Sequence, residues 1–263
     1  MFGCALLLAA LPVAAKELMI PLSEAGAAGL RDKSVALTIH ERPSFVAMSP
    51  GKAAFALLGA GAMIKAGNDL VDTNHVADPA IVVRENLSAA LRDAYGAHLL
   101  PVDTKTTDAK KPKDLAALHR EADYVLDVRS GGWMYSYYPA KWAAYWVAYS
   151  AQVQLIDAKT GTVLSNAACN SNTQANANPP SREQLHADGA KLLKEVTTSL
   201  GWMCVQLLAK EQLHIPAGTV AATPDEYVNP LAAVAPTGTD EVTTPTPPAA
   251  APGTANDPVS GTD

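Results

Sequence analysis

The chain has 263 residues, 48% of them hydrophobic, with 20 basic and 26 acidic side chains, enough for a real core and for one or two domains. Six of the acids lie beyond Pro216, so the rest of the chain balances 20 bases against 20 acids. A neutral body gives no electrostatic reason to expect nucleic acid as a partner.

In chain order, residues 1–15 form a short apolar run ending in Val13-Ala14-Ala15. Small residues at −3 and −1 before Lys16 suit signal peptidase, and the run is too short to span a bilayer. It lacks a positive start, and Cys4 after Gly3 leaves lipidation open as an alternative. Residues 16–32 read as an N-terminal linker. Residues 34–41 alternate, with Val35, Leu37 and Ile39 on one face, and read as a strand ended by Pro43. The uncharged stretch from Ala53 to Ile64 is rich in Ala and Gly, and is expected as a buried helical hairpin or an envelope-facing loop. Membrane contact, where it occurs, is expected through residues 53–66 or an N-terminal anchor.

Asp78-Pro79 and Gly96 frame the clearest helix, with Val83, Leu87 and Leu91 on one stripe. A short strand over 97–102, a charged linker and a helix over 113–122 with Leu115 and Leu118 inward come next. The strand over 123–129 then sets Tyr124, Leu126 and Val128 on one face. From Tyr145 to Leu155 alternate residues share a face, and Ser150, Gln152 and Gln154 take the other, the pattern of an antiparallel strand with one wet side. Asp157 to Gly161 makes a turn, and residues 162–169 return as the partner strand. Ser181-Arg-Glu-Gln184 is a capping box opening a long helix with Leu185, Leu193, Val196, Leu200, Cys204 and Leu208 on one stripe. Gly189 and Gly201 are expected to bend it. Residues 217–263 hold eight prolines and few large apolar groups, too little to offset ordering entropy.

The expected fold class is therefore α/β (α+β): a single mixed β-sheet with a long antiparallel hairpin, flanked by helices. The expected division is a signal peptide at 1–15, a linker at 16–32, an α/β envelope domain at 33–215, and a disordered acidic tail at 216–263. Once the signal is removed, Cys169 and Cys204 are the two remaining cysteines. In an oxidising compartment they are expected to form a disulfide, with two buried free thiols as the alternative.

Two phrases sharpen the pattern: Glu121-Ala-Asp-Tyr-Val-Leu126 entering a strand, and Val153-Gln-Leu-Ile-Asp-Ala-Lys-Thr-Gly-Thr-Val-Leu164 as a hairpin. With the element order, they resemble the periplasmic α/β domain of the curli-secretion lipoprotein superfamily over about residues 33–213. That group includes the lipoprotein activator of penicillin-binding proteins and the amino-terminal domain of the Tol–Pal translocation protein. The resemblance implies a docking or assembly module of the cell envelope, with no catalytic residues to carry over. The chain departs from the pattern in lacking a clear lipidation site, in segment 53–66 and in its tail.

No nucleophile elbow, zinc-protease helix, phosphate loop or dinucleotide fingerprint is present in the sequence, and no cofactor or metal is expected. Gly59-Ala-Gly61 reads as packing. Asp123 and Asp127 are expected on a strand's solvent face, Asp157 in its turn, and His186 as a solvated side chain. The unusual feature is aromatic: eight of the 15 aromatic residues lie between Trp133 and Tyr149. Such residues either pad a core or form a contact surface that buries large area with few rotors. Trp133, Tyr135, Tyr137, Trp142 and Trp146 are the candidate binding residues, with Trp133 and Tyr135 expected to join Trp146 across the hairpin. Non-enzymatic docking to an envelope protein is the leading function, glycan binding the alternative, and hydrolysis a distant third. The expected location is periplasmic or secreted, with outer-membrane association and self-association both open.

Overall fold

The structure is a computed structural model and describes residues 19–53, 56–102 and 104–234. The expected signal segment, Cys4 and everything from residue 235 onward lie outside the described residues. The elements begin with helix α1 (Glu24–Ala28), strands β1 (Ser34–Leu37) and β2 (Phe45–Ala47), and helices α2 (Pro50–Ala53), α3 (Ala56–Thr73) and α4 (Ala80–Tyr95). Then come β3 (His98–Leu99), α5 (Pro112–Leu118), β4 (Tyr124–Tyr138), β5 (Lys141–Asp157), β6 (Val163–Asn172), α6 (Arg182–Glu211) and α7 (Asp225–Val228).

One mixed sheet of six strands runs β3-β1-β4-β5-β6, with β2 beside the distal part of β4. β1 is parallel to β3 and β4, β2 is parallel to β4, and the β4–β5–β6 ladder is antiparallel. This is the expected mixed sheet with a long hairpin and flanking helices. β4 is longer than expected, because the strand at 123–129 continues through a register shift at Ser130/Gly132 into the aromatic stretch.

Alternation along the strands feeds two cores. Val35, Leu37, Leu126, Val128, Val147, Tyr149, Val153 and Leu155 enter the larger one beneath α4 and α6. Ala36, Val125 and Ile156 point the other way and meet Leu115 and Ala116 of α5. Leu118, expected inward with Leu115, is 55% exposed because α5 ends there. Asp78 Oδ1 accepts from Ala80 N at 2.9 Å and opens α4, which Gly96 closes. The capping box at Ser181 and Gln184 is formed. α6 leaves helical geometry over Ala187–Ala190, so the expected bend at Gly189 is present, whereas Gly201 stays helical.

Of the segment 53–66, Ala53 ends α2 and residues 56–66 lie in the first part of the single helix α3, not in a loop. α3 lies so close on β2 that a Cβ on Gly67 would sit 2.0 Å from the Phe45 carbonyl oxygen. No described helix is long and apolar enough to cross a membrane. At the β5–β6 turn, Gly161 takes φ of 69°, and Asp157 Oδ1 accepts from the amides of Lys159 and Thr160.

The expectation of an unstructured chain from residue 216 is corrected up to Val234. Leu231 is buried, and Tyr227 and Val234 pack on the larger core. A few scattered apolar side chains, Leu231 foremost, supply what the absence of periodicity concealed.

Cys169 of β6 and Cys204 of α6 form a disulfide with Cα atoms 5.6 Å apart, tying the sheet's last strand to its covering helix. Reduction should lower stability by about 2–4 kcal/mol, read as a lower urea midpoint with reductant than without it.

Candidate functional site

The sheet is covered unequally. α3, α4 and α6 pack on one face, and α5 shields only the other face's proximal end, at Val125 and Ile156. Beyond that point no described helix covers the second face. Met134, Tyr138, Trp146, Ala148 and Ser150 are half-buried there, and Asn170 and Asn172 are exposed. The surface dips into a cleft of 540 Å³ along Gly131, Gly132, Met134, Ala148, Ser150 and Asn170.

The aromatic residues divide by face. Trp133 pairs with Tyr149, Tyr135 with Val147, and Tyr137 with Tyr145, so all six point to the covered side. Trp133 and Tyr135 are each 2% exposed. Phe45 meets Trp133 edge-on at 5.0 Å and Tyr135 at 5.7 Å, and Tyr135 meets Tyr145 at 5.5 Å. The Trp133 indole donates to Pro43 O at 2.9 Å, and the Arg42 guanidinium lies 5.4 Å from its ring. Tyr135 Oη lies 3.0 Å from His186 Nε2, so His186 is not merely solvated.

The expectation that Trp133 and Tyr135 join Trp146 on a contact surface is therefore overturned. Trp146 pairs with Ser136, and both face the opposite way from Trp133. Trp146 does oppose Tyr145, Val147 and Tyr149, as its alternation implied. Tyr137 is partly buried against the core. Trp142, at the hairpin tip, is 67% exposed, with its indole N–H donating to Pro139 O at 2.8 Å.

A second cluster sits between the α5-covered end and the open face. Asp127 is fully buried, not on a wet face. Its Oδ1 lies 2.7 Å from Thr38 Oγ1 and 2.5 Å from His40 Nε2, and its Oδ2 lies 2.6 Å from Arg129 Nη1. Arg129 Nε then donates to Gln152 Oε1 at 2.9 Å. Arg129, His40 and Gln152 also line a neighbouring polar cavity of 330 Å³. Both carboxylate oxygens are occupied from within the fold, so the cluster reads as a satisfied charge network that fixes β1's exit against β4. Asp123 serves similarly, accepting from the amide and hydroxyl of Ser34, and those contacts hold its carboxyl below the ordinary range. A clue to Asp127 was present in the sequence, since Asp and Arg two apart in an apolar strand must share a face.

Burial drives the Tyr149 phenol well above the ordinary tyrosine value, and the Ser130 hydroxyl offsets this only partly. The unfolded chain releases that proton near pH 10, while the folded chain holds it. Stability from keeping Tyr149 neutral is thus full below about pH 10 and falls as pH rises from there toward its raised value. Tyr149→Phe should flatten the loss of urea midpoint between pH 9 and 11, measured as roughly one proton fewer in the linkage slope.

No family model and no curated protein matches the chain. Among solved structures, it is similar to lipoprotein GNA1162 from Neisseria meningitidis, at 17% identity and a TM-score of 0.29, covering 56% of this chain and 87% of that one. It is also similar to the C-terminal domain of LpoB from Salmonella enterica, at 12% identity and a TM-score of 0.24, covering 60% and 87%. The PelC dodecamer from Paraburkholderia phytofirmans follows at 15% identity and a TM-score of 0.27, covering 69% and 89%. At these TM-scores they are likenesses only.

Proposed function

We propose that this chain is a non-enzymatic docking module exported to the cell envelope, and that it binds a protein partner through the open half of its sheet. The observation that carries this reading is the asymmetry of cover: three helices shield one face, and the distal half of the other bears Trp146, Met134 and Tyr138 without a described helix above it. Large, partly exposed aromatic and methionine side chains on a rigid sheet are the residue types that interfaces enrich. Trp142 extends the surface at the tip. The network at Asp127 is spent inside the fold, which favours a structural role for the chain's most buried charges.

Tagged full-length protein recovered from native envelopes tests this reading. Trp142→Ala with Trp146→Ala should lower recovery of the associated protein at least about tenfold, the loss of a typical hot spot, with an unchanged melting temperature. Unaltered recovery would remove this face from the account. The exposed asparagines on the face of Trp146 favour glycan binding as a second reading, since amides bond hydroxyls while an indole stacks on a sugar ring. Co-sedimentation with insoluble envelope polysaccharide, lost in the same variant, would select it.

A further inference from the structure

The last strand, β6, ends the sheet, and among the described residues most of its outer edge is unpaired. Asn166 N and O both bond Ile20, at 2.9 and 2.8 Å, so those groups point outward. On the inward side, Thr173 N donates to Val147 O. Alternation along an antiparallel strand then turns the N–H and C=O of Ala168, Asn170 and Asn172 outward too. Among the described residues only Ile20 pairs with this edge.

Edges of this length are ordinarily blunted by Lys, by Pro or by inward charge. From Val163 to Asn172, β6 has none of these. It is also held still: Cys169 is bonded to Cys204, and Ser171 Oγ donates to Leu200 O at 3.1 Å. Asn170 lies between those two anchors. A rigid, uncharged row of outward amides and carbonyls is a preformed template for strand addition.

We propose that this edge pairs with the same edge of a second copy, antiparallel about a two-fold axis midway between the two copies of Asn170. In that register Asn170 faces its own counterpart and Ala168 faces Asn172, so the outward N–H and C=O of all three residues find mates, while those of Asn166 stay with Ile20. Charge favours self-pairing: no residue of β6 carries any, so no like charges are brought together when the strand meets itself, and a charged partner strand gains nothing. The axis stands perpendicular to the sheet, so the two open faces lie side by side as one doubled surface. The contact itself is separate from the docking face proposed above and does not depend on it.

Pairing over so short a stretch falls in the weak, small-interface class, so association is expected at about 10–500 µM. Sedimentation equilibrium of the full chain should show mass doubling across that range, with rising exchange protection at the amides of Ala168, Asn170 and Asn172. Asn170→Pro removes an outward N–H without touching the β5 ladder, the setting in which an edge tolerates proline. Asn170→Lys sets like charges together and serves if the proline variant misfolds. Each should weaken association at least about tenfold while leaving the melting temperature near that of the parent. A monomer at all concentrations with these amides exchanging freely would overturn the proposal. So would a monomer in which they are protected, which would assign the edge to the chain ahead of Met19. Doubling unaffected by either variant would place the contact elsewhere and refute it as well.

Discussion

Asp127→Ala should destabilise the fold by roughly 3–5 kcal/mol, the range for removing one partner of a buried pair and stranding the other. The carboxylate is fully buried and takes hydrogen-bonding contacts from Thr38, His40 and Arg129. Without it the Arg129 guanidinium, itself about nine-tenths buried, loses its counter-charge. Thr38 and His40 lose the acceptor that draws the segment after β1 against β4. Urea titration followed by tryptophan fluorescence would read the change. A loss below about 1 kcal/mol, the scale of an exposed pair, would mean that water reaches the cluster.

Trp133→Ala should cost a similar amount, about 3–5 kcal/mol as for other buried aromatic truncations, whereas Trp142→Ala should stay within about 0.5 kcal/mol. Trp133 is enclosed by Phe45 and Arg42 and spends its N–H on Pro43 O. Its loss opens a cavity at the junction of β2 with β4. Trp142 has only its local bond to Pro139. The contrast separates two tryptophans nine residues apart that composition alone treats alike. Equal costs would indicate that the hairpin tip folds down on the body.

Local signals in the sequence were readable wherever chemistry within a few residues decides the outcome. The capping box at Ser181, the Asp157–Gly161 turn and the faces of β5 all required only neighbours along the chain. The wider placement depended on register. Trp133, Tyr135 and Tyr137 plainly share a face, but which residues of β5 join them is set by the turn after Tyr138 and the irregularity between Tyr137 and Tyr138. A slip of one residue there exchanges Trp146 for Tyr145 beside them. The burial of Asp127 was hidden for another reason: the strand's wet face is closed by Thr38 and His40, almost ninety residues away in sequence. Leu231 leaves no signal in the sequence because one isolated leucine carries no period.

The most direct measurement is photocrosslinking in native cells, with a photoreactive phenylalanine placed in turn at Met134, Trp142, Trp146, Met203 and Leu207. The last two stand exposed on α6, on the sheet's covered side. The open face predicts one common protein adduct from Met134, Trp142 and Trp146, and none from Met203 or Leu207. The same adduct from α6 alone, or equally from every position, would contradict it.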